Sequence, residues 1–86
     1  MKILITGGCG FVGSNLAIYF KNNRIGSKID SLDNLCRKGS VLNLNRLKKN
    51  KIKNFRIDVT NFRALKKLPK YDFIVDCRAE AAVEPS

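Results

Sequence analysis

Residues 1–16 read MKILITGGCGFVGSNL, and four glycines, Gly7, Gly8, Gly10 and Gly13, fall within seven positions. Ahead of them Ile3, Leu4 and Ile5 predict an apolar strand over residues 2–6. After them Val12, Leu16, Tyr19 and Phe20 recur at helical spacing and predict an amphipathic helix over about 11–23, which the stretch NNRIG ends. Glycine costs backbone entropy on folding, so such a cluster marks places where a side chain would be in the way. Between a strand and a helix the pattern has a mechanism, because the helix start is the positive end of a dipole and favours an anion. Gly8-x-Gly10-x-x-Gly13 satisfies G-x-G-x-x-G. In that pattern one glycine makes the tight turn, the next lets backbone amides approach a pyrophosphate, and the last lets the helix pack on the strand. Asp33 lies twenty residues beyond Gly13, where a carboxylate would meet the ribose hydroxyls of an adenosine.

The chain alternates to its end. A short strand is predicted near 28–32, interrupted by Asp30 and Ser31, the first of which is awkward in a strand buried on both faces. Val41, Leu44 and Leu47 mark a second helix with Ser40 as its N-cap. Phe55, Ile57 and Val59 alternate as a third strand. Thr60 or Asn61 caps a third helix carrying Phe62, Leu65 and Leu68, stopped by Pro69, and YDFIVDC reads as a buried fourth strand. The order β-α-β-α-β-α-β implies an α/β fold with parallel strands and right-handed crossovers, the first half of a Rossmann-type sheet. The edge of its last strand is expected to be open, with self-association as one consequence.

Composition narrows the class. The chain has 86 residues and 44% hydrophobic residues, enough for a globular core, and no apolar run near the roughly 18 residues of a membrane span. Cys9, Cys36 and Cys77 are widely spaced and read as reduced thiols of a cytoplasmic protein. The absence of histidine argues against zinc sites and His-based triads, so no metal is expected. Seventeen Lys and Arg against seven Asp and Glu give a net charge of +10, densest in RLKKNKIKNFR from Arg46 to Arg56. That run lacks interleaved aromatics for base stacking and reads as a solvated helix end, with a nucleic-acid partner disfavoured. Cys9 has no histidine to activate it and reads as a small filler of the loop.

TGGCGFVGSNL, from Thr6 to Leu16, resembles the start of the extended short-chain dehydrogenase/reductase family, the NAD-dependent nucleotide-sugar epimerases and dehydratases. Asp33, Asn34 and Leu35 are similar to the Asp-Asn-Leu that follows the family's second strand, and RIDVTN to the end of its third. Within the family, RKGSVLNLNRL and DCRAEAAVEPS look most like the CDP-paratose or CDP-tyvelose 2-epimerase branch. The resemblance implies a dinucleotide held by Gly7, Gly10, Phe11, Val12 and Gly13, its ribose by Asp33 and Asn34, and its adenine by Asp58 and Val59. Small residues are expected against the cofactor after the fourth strand, a role that falls to Cys77 and Ala79. Arg78 between them departs from the pattern: it pairs with the pyrophosphate, points away, or obstructs the site, and obstruction is the favoured reading.

A carboxylate at Asp33 favours NAD over NADP, since it accepts from a free 2′-hydroxyl and repels a 2′-phosphate. Arg37, with Lys38, is the feature that would reverse the choice if it met the phosphate. The family's catalytic Tyr-x-x-x-Lys is not matched within residues 1–86, where Tyr19 is followed four residues later by Asn23 and Tyr71 by Val75. The expectation is therefore the NAD-binding N-terminal portion of a nucleotide-sugar epimerase or dehydratase, with no catalytic residue of its own and no turnover alone. The substrate domain is expected to lie outside it. A truncated remnant and a basic nucleic-acid module on the same half-sheet are the alternatives.

Overall fold

The computed structural model describes residues 1–78. Its elements run β1 (Lys2–Thr6), α1 (Phe11–Asn22), β2 (Lys28–Leu32), α2 (Ser40–Lys49), β3 (Lys53–Phe55), α3 (Phe62–Lys66) and β4 (Phe73–Asp76). The strands form one parallel sheet in the order β3-β2-β1-β4. β1 is central, with Thr6 in register with Leu32 on one side and Asp76 on the other. The chain therefore winds outward from β1 through β2 to β3, then returns past β1 to β4. The reversal leaves a crevice at the carboxyl ends of β1 and β4, the place where open α/β sheets take ligands. This is the predicted Rossmann-type half-sheet.

Alternation along the strands divides the side chains between two faces. Ile3, Ile5 and Ile29 point to one face and meet Ala17 of α1, Leu47 of α2 and Ile52, all 3% exposed or less. Leu4, Thr6 and Leu32 point to the other face, where they border a groove with Leu65, Leu68 and Tyr71. The predicted face of α1 holds at Leu16 and Phe20, which pack against the core, and needs correction elsewhere. Val12 and Tyr19 are exposed, and the residues buried against the sheet are Gly13, Ser14 and Ala17. Small side chains bring the helix axis close to β1, so the larger apolar residues are pushed to its flanks.

Other boundaries shift for local reasons. Ser40 is the first residue of α2 and not its cap: Gly39 holds the N-cap position with φ +88°, and Ser40 Oγ donates to the Arg37 carbonyl at 2.8 Å. The third strand lies earlier than the alternation of Phe55, Ile57 and Val59 suggests, because only Lys53–Phe55 pairs with β2. Asn61 does cap α3, accepting from the Ala64 N–H at 3.2 Å. β4, predicted to be buried, has Phe73 at 57% and Ile74 at 64% exposure. It is an edge strand paired only with β1 among the described residues.

Asp30, the awkward residue of β2, is 1% exposed and finds its partner in Tyr71, whose hydroxyl donates to Oδ2 at 2.7 Å. Lys28 Nζ lies 3.9 Å from the same oxygen. Burial, then the hydrogen bond and charge of Asp30, push the Tyr71 phenol above the ordinary tyrosine range. A group protonated more tightly in the folded state stabilises the fold below its unfolded pKa, here about 10. That contribution fades as pH rises from there through the folded value. Tyr71→Phe leaves a buried carboxylate short of a donor and is expected to destabilise the fold by about 1–3 kcal/mol at neutral pH. Chemical denaturation of both proteins at neutral and strongly alkaline pH checks this, with the difference shrinking at the alkaline end.

Candidate functional site

The loop between β1 and α1 is shaped by three glycines with different duties. Gly7 turns the chain with φ +73°, and a Cβ there would lie 2.9 Å from the Arg78 backbone nitrogen. A Cβ on Gly8 would run into the Ser31 hydroxyl, and one on Gly13 into the Gly7 carbonyl oxygen. The tight turn therefore belongs to Gly7, while Gly8 serves the close approach of the loop to β2. This corrects the reading of Gly8 as the turn residue. Gly13 packs the first turn of α1 on Gly7 and Gly8 of the loop, just past the strand on which the pattern places it. Gly10 is the N-cap of α1 with φ −80° and ψ 173°, extended backbone open to any residue. Its conformation does not call for glycine, and the pattern assigns this position to the approach of a pyrophosphate. Gly10 has no side chain with which to cap this helix, and the first turn itself carries no acid.

Beside the loop is a cleft of about 200 Å³ whose lining includes Gly7, Asp33, Asn34, Arg37, Asp58 and Val59. The structure thus gathers six of the predicted cofactor residues in one place. Gly10, Phe11, Val12 and Gly13 form the adjoining start of α1, with Phe11 74% exposed. Cys77 is buried in the core, its N–H donating to the Thr6 carbonyl at 2.8 Å, and is not among the cleft's lining residues. Ala79 lies outside the described residues.

Asp33 does more than the sequence suggested. Its Oδ2 accepts the Cys9 N–H at 3.0 Å and its Oδ1 the Leu35 N–H at 2.8 Å, so it ties the glycine loop to the end of β2. A carboxylate has about four lone-pair sites, and two backbone bonds leave acceptor capacity for a ribose hydroxyl. Asp58 accepts from the backbone N–H and the hydroxyl of Thr60 through Oδ1, and from Asn34 Nδ2 at 3.3 Å through Oδ2. The Thr60 bonds, backbone first, hold its carboxyl below the ordinary range. Arg78, expected to obstruct, turns back along its own strand to Asp76, with Nε to Oδ1 and Nη2 to Oδ2 both at 2.9 Å.

A supporting layer escaped the sequence reading. Asn43 Nδ2 donates to the Cys9 carbonyl at 2.9 Å, fixing the loop from α2. Arg46, taken as part of a solvated cluster, reaches Asn15 on α1 at 2.8 Å and Asn43 at 3.3 Å. Asn54 accepts from Ser31 Oγ at 2.7 Å and donates to the Asp33 carbonyl at 3.2 Å. The three-residue spacing of Asn43 and Arg46 places both on one helix face, which was the available signal.

Residues 3–86 match the family model described as NAD dependent epimerase/dehydratase. The chain belongs to that family. NAD, the cofactor favoured from Asp33, is the cofactor of the NAD-dependent epimerases and dehydratases. Among curated relatives, CDP-paratose 2-epimerase from Salmonella typhi is 54% identical over 44 residues, covering 51% of this chain and 12% of that protein. A dTDP-D-glucose 4,6-dehydratase from Dictyostelium discoideum is 53% identical over 47 residues, covering 48% of this chain and 11% of that protein. Among solved structures, ADP-L-glycero-D-manno-heptose-6-epimerase from Helicobacter pylori superposes with a TM-score of 0.72 at 36% identity, over 87% of this chain and 25% of its own. A UDP-glucuronic acid 4-epimerase variant from Bacillus cereus, solved with NAD, gives a TM-score of 0.75 at 27% identity, over 90% of this chain and 26% of its own. The chain spans 12% or less of these curated relatives' lengths and about a quarter of these structural ones.

The loop thiol is not a nucleophile. Cys9 is 1% exposed, and burial, reinforced by the Asp33 charge, pushes its pKa up to about 12. Cys77 is also buried, while Cys36 is exposed. Thiol titration of the native protein is expected to show one fast-reacting group, eliminated by Cys36→Ser. The other two should respond only after denaturation.

Proposed function

We propose that this chain is the NAD-binding portion of a nucleotide-sugar epimerase or dehydratase, acting in the cytoplasm. The observation that carries the reading is the junction at Cys9, where one carboxylate, Asp33, ties the glycine loop and opens onto the cleft beside it. The residues fit the dinucleotide: a helix start with a glycine at its N-cap for the pyrophosphate, a carboxylate with spare acceptor sites for the ribose, and Asp58 with Val59 in the wall for the adenine. Gly10, Phe11 and Val12 present the backbone to the phosphates, and Asp33 selects NAD over NADP by repelling a 2′-phosphate. Arg37 lines the same cleft, beyond Asp33 and Asn34 in sequence.

Bound NAD supplies the hydride acceptor and donor for the family's chemistry. This chain's own residues bind and orient it. No Tyr-x-x-x-Lys pair lies within residues 1–86, so the proton transfer to a sugar hydroxyl is assigned to sequence outside them, and the segment is inactive alone. The substrate is proposed to be a nucleotide sugar, a class supported by the names of the relatives in both comparisons.

Calorimetric titration with NAD and NADP tests the reading. Gly10→Val puts a branched side chain at the cap of α1 and is expected to abolish NAD binding. Asp33→Asn, which keeps an acceptor for one of the two backbone N–H groups, should weaken NAD by about tenfold while narrowing the gap to NADP. Unchanged NAD affinity in Gly10→Val would reduce the loop to a turn and remove the assignment. Incubation of residues 1–86 with NAD and CDP-, UDP- or GDP-sugars is expected to give no product above a protein-free control. Product that Gly10→Val eliminates would contradict the inactivity of the segment.

A further inference from the structure

The carboxyl ends of β1 and β4 carry a polar cluster that the glycine motif does not include. Asp76 Oδ1 accepts from the Thr6 hydroxyl at 2.9 Å, from the Arg78 N–H at 3.0 Å and from Arg78 Nε at 2.9 Å, while Oδ2 accepts from Arg78 Nη2. The Arg78 guanidinium is thus gripped on two nitrogens by a carboxylate that is itself anchored to the central strand. These bonds, the Arg78 side chain first, hold the Asp76 carboxyl well below the usual range. Among the described residues Arg78 Nη1 makes no hydrogen bond.

The position of this pair matters more than its strength, since both side chains are about half exposed. The Arg78 backbone abuts Gly7, so closely that a Cβ on that glycine would lie 3.1 Å from the Arg78 Cα. Arg78 also lines the cleft that holds Asp33 and Asp58, and the groove bordered by Leu65, Leu68 and Tyr71. A fixed cation therefore stands at the switch point, next to the turn over which a dinucleotide's phosphates pass. Around it the cleft holds two carboxylates and a second cation, Arg37, so the lining without Arg78 carries no net positive charge.

The geometry points to Arg78 as a second anion-binding element of the dinucleotide site, supplying a guanidinium to the pyrophosphate, with Asp76 as its positioning residue. The inference rests on the NAD-binding reading above. It gives the departure at this position a function opposite to obstruction: the side chain is drawn aside along β4 by Asp76, and its remaining donors are available to a phosphate oxygen. Arginine suits this better than lysine, because its fork engages carboxylate and phosphate with separate nitrogens.

The test is calorimetric titration of the full chain, in wild-type form and as Arg78→Gln, Arg78→Lys, Asp76→Asn and Gly10→Val, with NAD, ADP-ribose and adenosine at low and moderate salt. Arg78→Gln keeps a donor for Asp76 while removing the charge. It is expected to weaken NAD and ADP-ribose about tenfold, to flatten their salt dependence, and to leave adenosine unchanged. Arg78→Lys should recover part of the loss, and Asp76→Asn should weaken the same two ligands by loosening the guanidinium. Unchanged or tighter NAD binding in Arg78→Gln, with Gly10→Val still abolishing it, would overturn this inference and leave the NAD site standing. A wild-type chain that binds no NAD, or a Gly10→Val variant that binds as well as wild type, would overturn both.

Discussion

The contact on which the molecule depends contains no side chain. Gly13, in the first turn of α1, lies so close to the Gly7 carbonyl that a single methyl group would collide with it. That approach sets the height of α1 above β1, places Ser14 and Ala17 against the sheet, and aims the helix start at the loop. If the helix stood further out, its positive end would no longer face the end of β1, and the loop would lose the Gly10 N–H to Gly7 carbonyl bond of 3.0 Å. The glycines are thus first a packing requirement, and only through it a binding device.

Asp33 links the packing to the site. By accepting from Cys9 and Leu35 it fixes the loop relative to β2, and α2 adds a second tether through Asn43 on the Cys9 carbonyl. The loop is held from both of its polar groups at Cys9, which is a preorganised arrangement: the ordering of the backbone is met by the fold and not at the moment of binding. The same residue that the motif assigns to ribose recognition is therefore also part of the scaffold, and its replacement disturbs both.

The strand–glycine–helix start was legible because its signals are local. The apolar run Ile3–Ile5, the glycine spacing and the distance to Asp33 each follow from a single stretch, and together they fix a parallel sheet and the end of it that binds. Contacts between distant elements were not legible. Tyr71 as the partner of Asp30 spans 41 residues, and Arg46 reaching Asn15 spans 31, so neither pairing has a sequence period to announce it. The apolar face of α1 was half legible: Leu16 and Phe20 do pack against the core, but its fully buried residues are Gly13, Ser14 and Ala17, small residues that carry little weight in a hydrophobic pattern. β4 looked buried because its composition is that of an inner strand, yet exposure depends on neighbours that composition does not name.

The central claim is that the pyrophosphate of NAD rests on the backbone at the start of α1. The most direct measurement is a nuclear magnetic resonance titration of the isotope-labelled protein with NAD, following every backbone amide. The account predicts that the largest shifts fall on Gly10, Phe11 and Val12, with a second set at Asp33 and Asn34 and little change in α3. Saturable NAD binding that leaves the amides of residues 10–12 unmoved would contradict it.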